Sequence, residues 1–268
     1  MENTAITQPD VADTVIPDSA QDASLRSMAE AGVFYGRKKS RTHPGMKEYI
    51  FATRNGIEII DLEKTQAALD AAAEAVRACV AGGGLVVFVG THPGSKERTE
   101  AIAKRFKLPY VVTRWLGGTL TNFKIISRRI DHFKKLREDI ASGALDKYTK
   151  AERLGFQKEF NRLEKFLGGL EHLTRLPDML ITTNIEEHAT AVREATRIKI
   201  PVVAITGTIS NPATIRYSIP ANDNGKASIE YLLTVLEGAI EKGMSERKAP
   251  EVVGPVKTFE KAPFKRPA

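Results

Sequence analysis

Residues Arg114-Trp115-Leu116-Gly117-Gly118-Thr119-Leu120-Thr121-Asn122-Phe123, followed at once by Lys124, gather the only tryptophan, two adjacent glycines, two hydroxyls, an amide and two cations. The chemistry this suggests is phosphate binding. A Gly-Gly pair lets the backbone take positive φ or approach another surface closely. Asn122 or Thr121 can cap the helix that follows, whose free N–H groups then point outward. A helix start of that kind suits a phosphate. The plainer reading is a buried turn with Trp115 packed under a sheet.

A second cationic group is Arg37-Lys38-Lys39-Ser40-Arg41, extended by Lys47 and Arg54. Residues 37–54 carry six positive charges against Glu48 alone. Gly36, Pro44 and Gly45 argue for loop over helix. Beside Tyr35 and Tyr49 such a loop offers phosphate contacts and stacking for unpaired bases. The alternative is a solvated charge run.

Other constellations offer less. Gly90-Thr91-His92-Pro93-Gly94-Ser95 lies between an apolar run and a helix, where an enzyme would bind phosphate. It fits neither G-x-G-x-x-G nor G-x-x-x-x-G-K-[ST]. His43, His92, His132, His172 and His188 are dispersed, with no H-x-x-x-H pair, so neither a metal nor a catalytic role is expected. Cys79 is the sole cysteine and shares a helix face with Ala72, Ala75 and Val76, which suits a small core residue. No nucleophile with its base can be assembled from local spacing.

The elements that must position these residues alternate. Ile57–Ile60, Leu85–Val89, Tyr110–Val112, Met179–Ile181 and Pro201–Ile205 read as five strands, the second an apolar run suited to burial on both faces. Helices are expected over Lys64–Val80, closed by Gly82-Gly83-Gly84, after a Ser95 cap, after Asn184 with Glu187 as a capping box, and over about Gly225–Lys242. The alternation predicts a parallel sheet with helices on both faces. About 55 residues separate the third and fourth strands, far more than a crossover helix needs. There Ile126, Ile130, Phe133 and Ile140 follow heptad spacing, with Arg137 in the remaining slot. Phe156, Phe160, Leu163, Leu167 and Leu170 repeat it after a turn near Ser142-Gly143. The spacing predicts an antiparallel coiled-coil hairpin over 124–172, reaching about 28 Å from the sheet. Lys124, Arg128, Arg129, Lys134, Lys135 and Arg137 lie on its first helix.

The stretch from Arg114 to Phe123 also resembles the signature loop of ribosomal protein two of the small subunit, in its bacterial form. The resemblance continues in Tyr49-Ile50-Phe51, Arg54–Leu62, Phe88-Val89-Gly90-Thr91, Leu167-Gly168-Gly169, Leu176–Leu180 and Ile219–Asp223, covering roughly residues 25 to 243. It implies a flavodoxin-like, five-stranded parallel sheet with helices on both faces and the inserted hairpin. It further implies a structural, non-enzymatic constituent that binds small-subunit ribosomal RNA and supports subunit assembly and translation. The implied neighbours are other small-subunit proteins, with ribosomal protein one among them where the loops allow its docking. Those loops depart from the family. Phe34-Tyr35-Gly36-Arg37 replaces His-Phe-Gly-His, Thr42 replaces a tryptophan, His92-Pro93-Gly94-Ser95 replaces a lysine-rich turn, and Gly207–Pro212 replaces Asp-Thr-Asn-Cys-Asp-Pro. The changes remove potential metal ligands, so neither metal nor cofactor is expected. The RNA contacts expected are Arg37, Lys38, Lys39, Arg41, Lys47, Arg54, Arg114, Trp115, Thr119, Asn122, Lys124, Arg128 and Arg129.

Charge agrees with a polyanionic partner. The 268 residues carry a net +7. Glu2, Asp10, Asp13, Asp18 and Asp22 give residues 1–24 a net −5, so the remainder carries +12. A basic body favours nucleic acid over membrane, since no helix joins a wide apolar face to a basic one. The densest apolar run is too short to span a bilayer, and no cationic segment followed by an apolar run opens the chain. These features suggest a cytoplasmic protein. The expected layout is an acidic disordered extension over 1–22, an α/β domain in two parts over 23–123 and 173–243, the hairpin between them, and a basic disordered tail over 244–268. The competing class is a nucleotide- or sugar-phosphate-binding enzyme on the same scaffold.

Overall fold

The computed structural model describes residues 20–247. The chain runs through helix α1 (Ala20–Glu30), strands β1 (Tyr35–Lys38), β2 (Ile50–Arg54) and β3 (Ile57–Ile60), and helix α2 (Leu62–Ala81). It continues through β4 (Val86–Val89), α3 (Pro93–Arg105), β5 (Tyr110–Val111), α4 (Phe123–Ala141) and α5 (Lys150–Leu167). It closes with β6 (Met179–Thr182), α6 (Ala189–Arg197), β7 (Val202–Thr206), β8 (Tyr217–Pro220) and α7 (Lys226–Glu246). The expected acidic extension and basic tail lie largely outside the described residues, although residues 20–22 already belong to α1 and residues 244–246 still belong to α7.

Five strands form a parallel sheet in the order β5-β4-β6-β7-β8. Its first strand in the chain, β4, thus has its successor on one side and the rest on the other, which makes the sheet flavodoxin-like. Alternation along each strand divides the core in two. Val86, Phe88, Met179, Ile181, Val203 and Ile205 face α2, α3 and α7, with Leu69, Ile102, Leu232 and Leu236 in the same cluster. Val87, Val89, Leu180, Val202 and Ala204 face α6 and the root of α4, with Ile126, Leu167 and Val192. Cys79 packs beside the first cluster, and burial pushes its thiol pKa up, so it is a core residue with little thiolate.

The parallel sheet has the five strands expected, but its membership differs, and three further strands form a second sheet. Ile57–Ile60 is not in the parallel sheet. It is the centre of a separate antiparallel sheet, ordered β1-β3-β2. Asn55 (φ 50°) and Gly56 (φ 75°) make the turn between β2 and β3, the pair of left-handed residues that a tight hairpin requires. The parallel sheet takes its fifth strand from Tyr217–Pro220, whose register pairs Ile219 with Ile205 and Pro220 with Thr206. Gly36 lets the small sheet sit against the large one: a Cβ there would lie 2.6 Å from Thr208 Cγ2 and 2.8 Å from Glu58 O.

The insertion between β5 and β6 is two helices. Phe133 of α4 stacks on Phe160 of α5 with ring centroids 5.5 Å apart. Ile126, Ile130, Phe133 and Leu136 are the buried residues of α4. Arg137, placed in the apolar series by spacing, instead binds Glu171 at its surface, and Leu136 takes the buried slot. On α5 only Leu167 is buried, so most of the second helix faces water.

Candidate nucleic-acid interface

The loop from Val112 to Asn122 leaves the carboxyl end of β5 and leads into α4. Its shape is set by Glu194 of α6, which packs on the same face of the sheet. The Glu194 carboxylate accepts hydrogen bonds from Trp115 Nε1 (3.1 Å) and Gly118 N (2.8 Å) on one oxygen. On the other it accepts from Leu120 N (3.0 Å), Thr121 N (3.2 Å) and Thr121 Oγ1 (3.2 Å). Gly118 has φ 88°, a left-handed conformation that turns its amide inward. Burial pushes the Glu194 pKa up, but the donors of Gly118, Trp115, Leu120 and Thr121 outweigh it and hold the carboxyl below its ordinary value. A carboxylate surrounded by N–H donors is the arrangement expected for a bound anion. Here the protein supplies the anion itself, and those amides are closed to a phosphate.

The loop therefore divides its residues. Trp115 is 8% exposed and Thr119 1%; the Thr119 hydroxyl donates to Leu116 O at 2.6 Å. Both were expected at an RNA surface and both are placed in the interior, in keeping with the plainer reading of a buried turn. Asn122 occupies the N-cap position of α4, but its side chain makes no capping hydrogen bond. What the loop turns outward is Arg114, Thr121, Asn122 and Lys124, with Arg128 and Arg129 one turn along α4.

Arg114 and Arg129 are brought to one cleft of about 490 Å³, between the loop and the two inserted helices. Arg162 of α5, absent from the sequence expectation, is the third arginine there. Its signal was available: it stands between Phe160 and Leu163, the positions that bring α5 against α4. Leu116, Leu163 and Phe166 line the cleft, as do His132 and Glu159, which pair with each other at 3.1 Å.

The first basic group lies on the small antiparallel sheet and its turns. Lys38, Lys39, Arg41, Lys47 and Arg54 are exposed. Arg37 differs: Nη2 binds Asp223 Oδ1 at 3.1 Å, and Asp223 is 2% exposed. The second Asp223 oxygen accepts from Asn184 Nδ2 at 2.7 Å. Arg37 is thus a fastener between the two sheets. Phe51, 77% exposed, and Tyr35, 48% exposed, stand among the cations; Tyr49 is half-buried.

The crevice that a nucleotide enzyme would use lies between the loops after β4 and β6, where the strand order reverses. The His188 side chain fills it. Its Nε2 accepts from Thr91 N at 3.1 Å. The proton is therefore on Nδ1, which donates to Asn184 O at 2.8 Å. Burial holds the ring below its ordinary pKa and so neutral. A neighbouring expectation is also corrected: the cap of α3 is His92, whose Nδ1 accepts from Gly94 N, while the Ser95 hydroxyl is turned back onto His92 O. Among the described residues no three His, Cys, Asp or Glu side chains converge as a metal site would need. No helix among them is long and apolar enough to cross a membrane.

A family model described as Ribosomal protein S2 matches residues 28–243. The small ribosomal subunit protein uS2 of Rhodospirillum centenum is 37% identical over 252 residues, covering 90% of this chain and 97% of its own length. The uS2 of Paramagnetospirillum magneticum is 42% identical over 221 residues, covering 82% and 83%. That of Kocuria rhizophila is 40% identical over 225 residues, covering 84% and 79%.

Proposed function

The chain belongs to the ribosomal protein S2 family, a family of structural and non-enzymatic proteins, and from this we propose that it binds small-subunit ribosomal RNA and supports assembly of the subunit. Its role in the small subunit is structural. The observation that carries the RNA contact is the state of its cations. Arg114, Lys124, Arg128, Arg129 and Arg162, with Lys38, Lys39, Arg41, Lys47 and Arg54, are exposed and have no carboxylate oxygen within 4.0 Å among the described residues. On the α2, α3 and α7 layer the pattern reverses: Arg77 is paired with Glu74 and Glu246, Arg98 with Glu237, and Arg105 with Glu237 and Glu241. Unpaired guanidinium and ammonium groups on loops and at the root of a projecting helix pair suit phosphate oxygens.

Binding is by charge-assisted phosphate contacts and fit of shape, without chemistry. Trp115 and Thr119 act through the loop they hold and touch no RNA. Neighbouring small-subunit proteins complete the set of partners in this reading, with ribosomal protein one only where the altered loops admit it. The test is a sucrose gradient of a lysate at low and high salt, probed for this chain. Co-sedimentation with the small subunit, loosened by salt, is the expected result. A chain that stays at the top at low salt overturns the proposal.

A further inference from the structure

The cleft between the Arg114 loop and the inserted helices has a composition unlike a plain phosphate rail. Arg114, Arg129 and Arg162 converge on it without a carboxylate partner of their own among the described residues. Glu159 is the acidic group at the cleft, and it is bound to His132. Between the arginines the lining is apolar: Leu116, Leu163 and Phe166. Phosphates alone would need no such lining, because it offers them neither charge nor hydrogen bonds. An unstacked base needs that kind of surface, since its face is apolar while its phosphates are not. The space suits the chemistry, as about 490 Å³ falls in the range of small-ligand clefts.

We infer that this cleft takes a single unpaired nucleotide of RNA, its base against Phe166 and Leu163 and its flanking phosphates on Arg114, Arg129 and Arg162. The inference rests on the RNA-binding reading and makes it specific. Lys124 and Arg128, on the neighbouring strip of α4, would bind any backbone that passes. The cleft instead selects RNA in which one nucleotide is out of the stack. The floor is firm, because Leu116 precedes the turn clamped by Glu194 and the root of α5 is anchored by buried Leu167.

The test uses the full chain and two labelled probes, a short RNA duplex and the same duplex with one unpaired purine, titrated by fluorescence anisotropy. Wild type is expected to bind the bulged probe roughly tenfold tighter, the effect of one stacked base. Phe166→Ala is expected to bring that ratio to about one. Arg162→Gln, an exposed and fold-safe change, is expected to lower the ratio as well. Equal binding of both probes by wild type overturns the cleft and leaves RNA binding standing; binding of neither overturns both. A preference abolished in Arg162→Gln but kept in Phe166→Ala overturns the base contact, leaving a phosphate cleft only.

Discussion

Replacing Glu194 with alanine would leave the indole N–H of Trp115 and the amides of Gly118, Leu120 and Thr121 without their acceptor. Buried donors without partners cost on the order of 1–3 kcal/mol each and are not additive, so a destabilisation of about 3 kcal/mol is expected. Thermal unfolding checks it, with a fall of roughly 10 °C in Tm for a domain of this size, and the Trp115 emission should shift to the red. Acid should act in two steps. His188 is held below its ordinary pKa, so the unfolded chain takes up that proton first and stability falls as pH drops below about 6.5. Glu194 is also held low, so its contribution is complete above about pH 4.3 and disappears as pH falls through the folded-state value. Denaturant midpoints across that range, in wild type, His188→Gln and Glu194→Gln, separate the two; an unchanged upper step in His188→Gln refutes the assignment. Glu194 was not legible in the sequence, because its partners are 73 to 79 residues away. Flanked by Arg193 and basic Arg197, it resembles a solvated helix residue. Its one local clue was its position three residues after Ala191, on the face that buries Val192 and Ala195.

At the scale of elements, the fastening of the small sheet to the large one depends on Asp223, which joins Arg37 to Asn184. Asp223→Ala removes a buried acceptor from both. Hydrogen exchange should then speed up in β1, β2 and β3 while β4, β6 and β7 keep their protection. A uniform rise across both sheets would show that the contact has no such local role. Gly56→Ala, at φ 75°, is expected to cost about 1 kcal/mol by straining the β2–β3 turn. The misassigned strand has a physical explanation here. Ile57–Ile60 has the apolar content of a sheet strand, and apolar content does not say which sheet. The information lay in Asn55-Gly56, whose left-handed pair folds β3 back onto β2 and prevents it from leading a parallel crossover. Tyr217–Pro220 escaped notice because it is short, half-exposed at its start and ends in proline, as an edge strand can. The buried, alternating strands β4, β6 and β7 were legible because each is nearly all apolar and meets helices on both faces.

Over the whole molecule, charge is partitioned between surfaces. Among the described residues, the α2, α3 and α7 layer neutralises Arg77, Arg98 and Arg105 internally, while the antiparallel sheet and the inserted helices pair Arg37, Arg137 and Arg153 but leave Arg54, Arg128, Arg129 and Arg162 open. Association with the small subunit should therefore weaken with salt. The triple change Lys124→Gln, Arg128→Gln, Arg129→Gln should flatten the slope of log affinity against log salt by about one unit for every phosphate that the variant no longer neutralises. A triple variant with the wild-type slope would place the RNA elsewhere. The basic clusters were visible as residues. The inward turn of Arg37 was not, because it depends on Asp223, contributed by a distant element; Trp115 was open to the plainer reading of a buried turn.

The Glu194 clamp also has a consequence in time. A chain made from its N-terminus delivers Trp115 first, and the carboxylate that fixes it follows 79 residues later. At about 5–20 residues per second the loop waits roughly 4–16 s for its anchor. Both inserted helices are synthesised within that interval, before their root is fastened. The loop at the root of the proposed RNA surface thus acquires its final form only once α6 has been made.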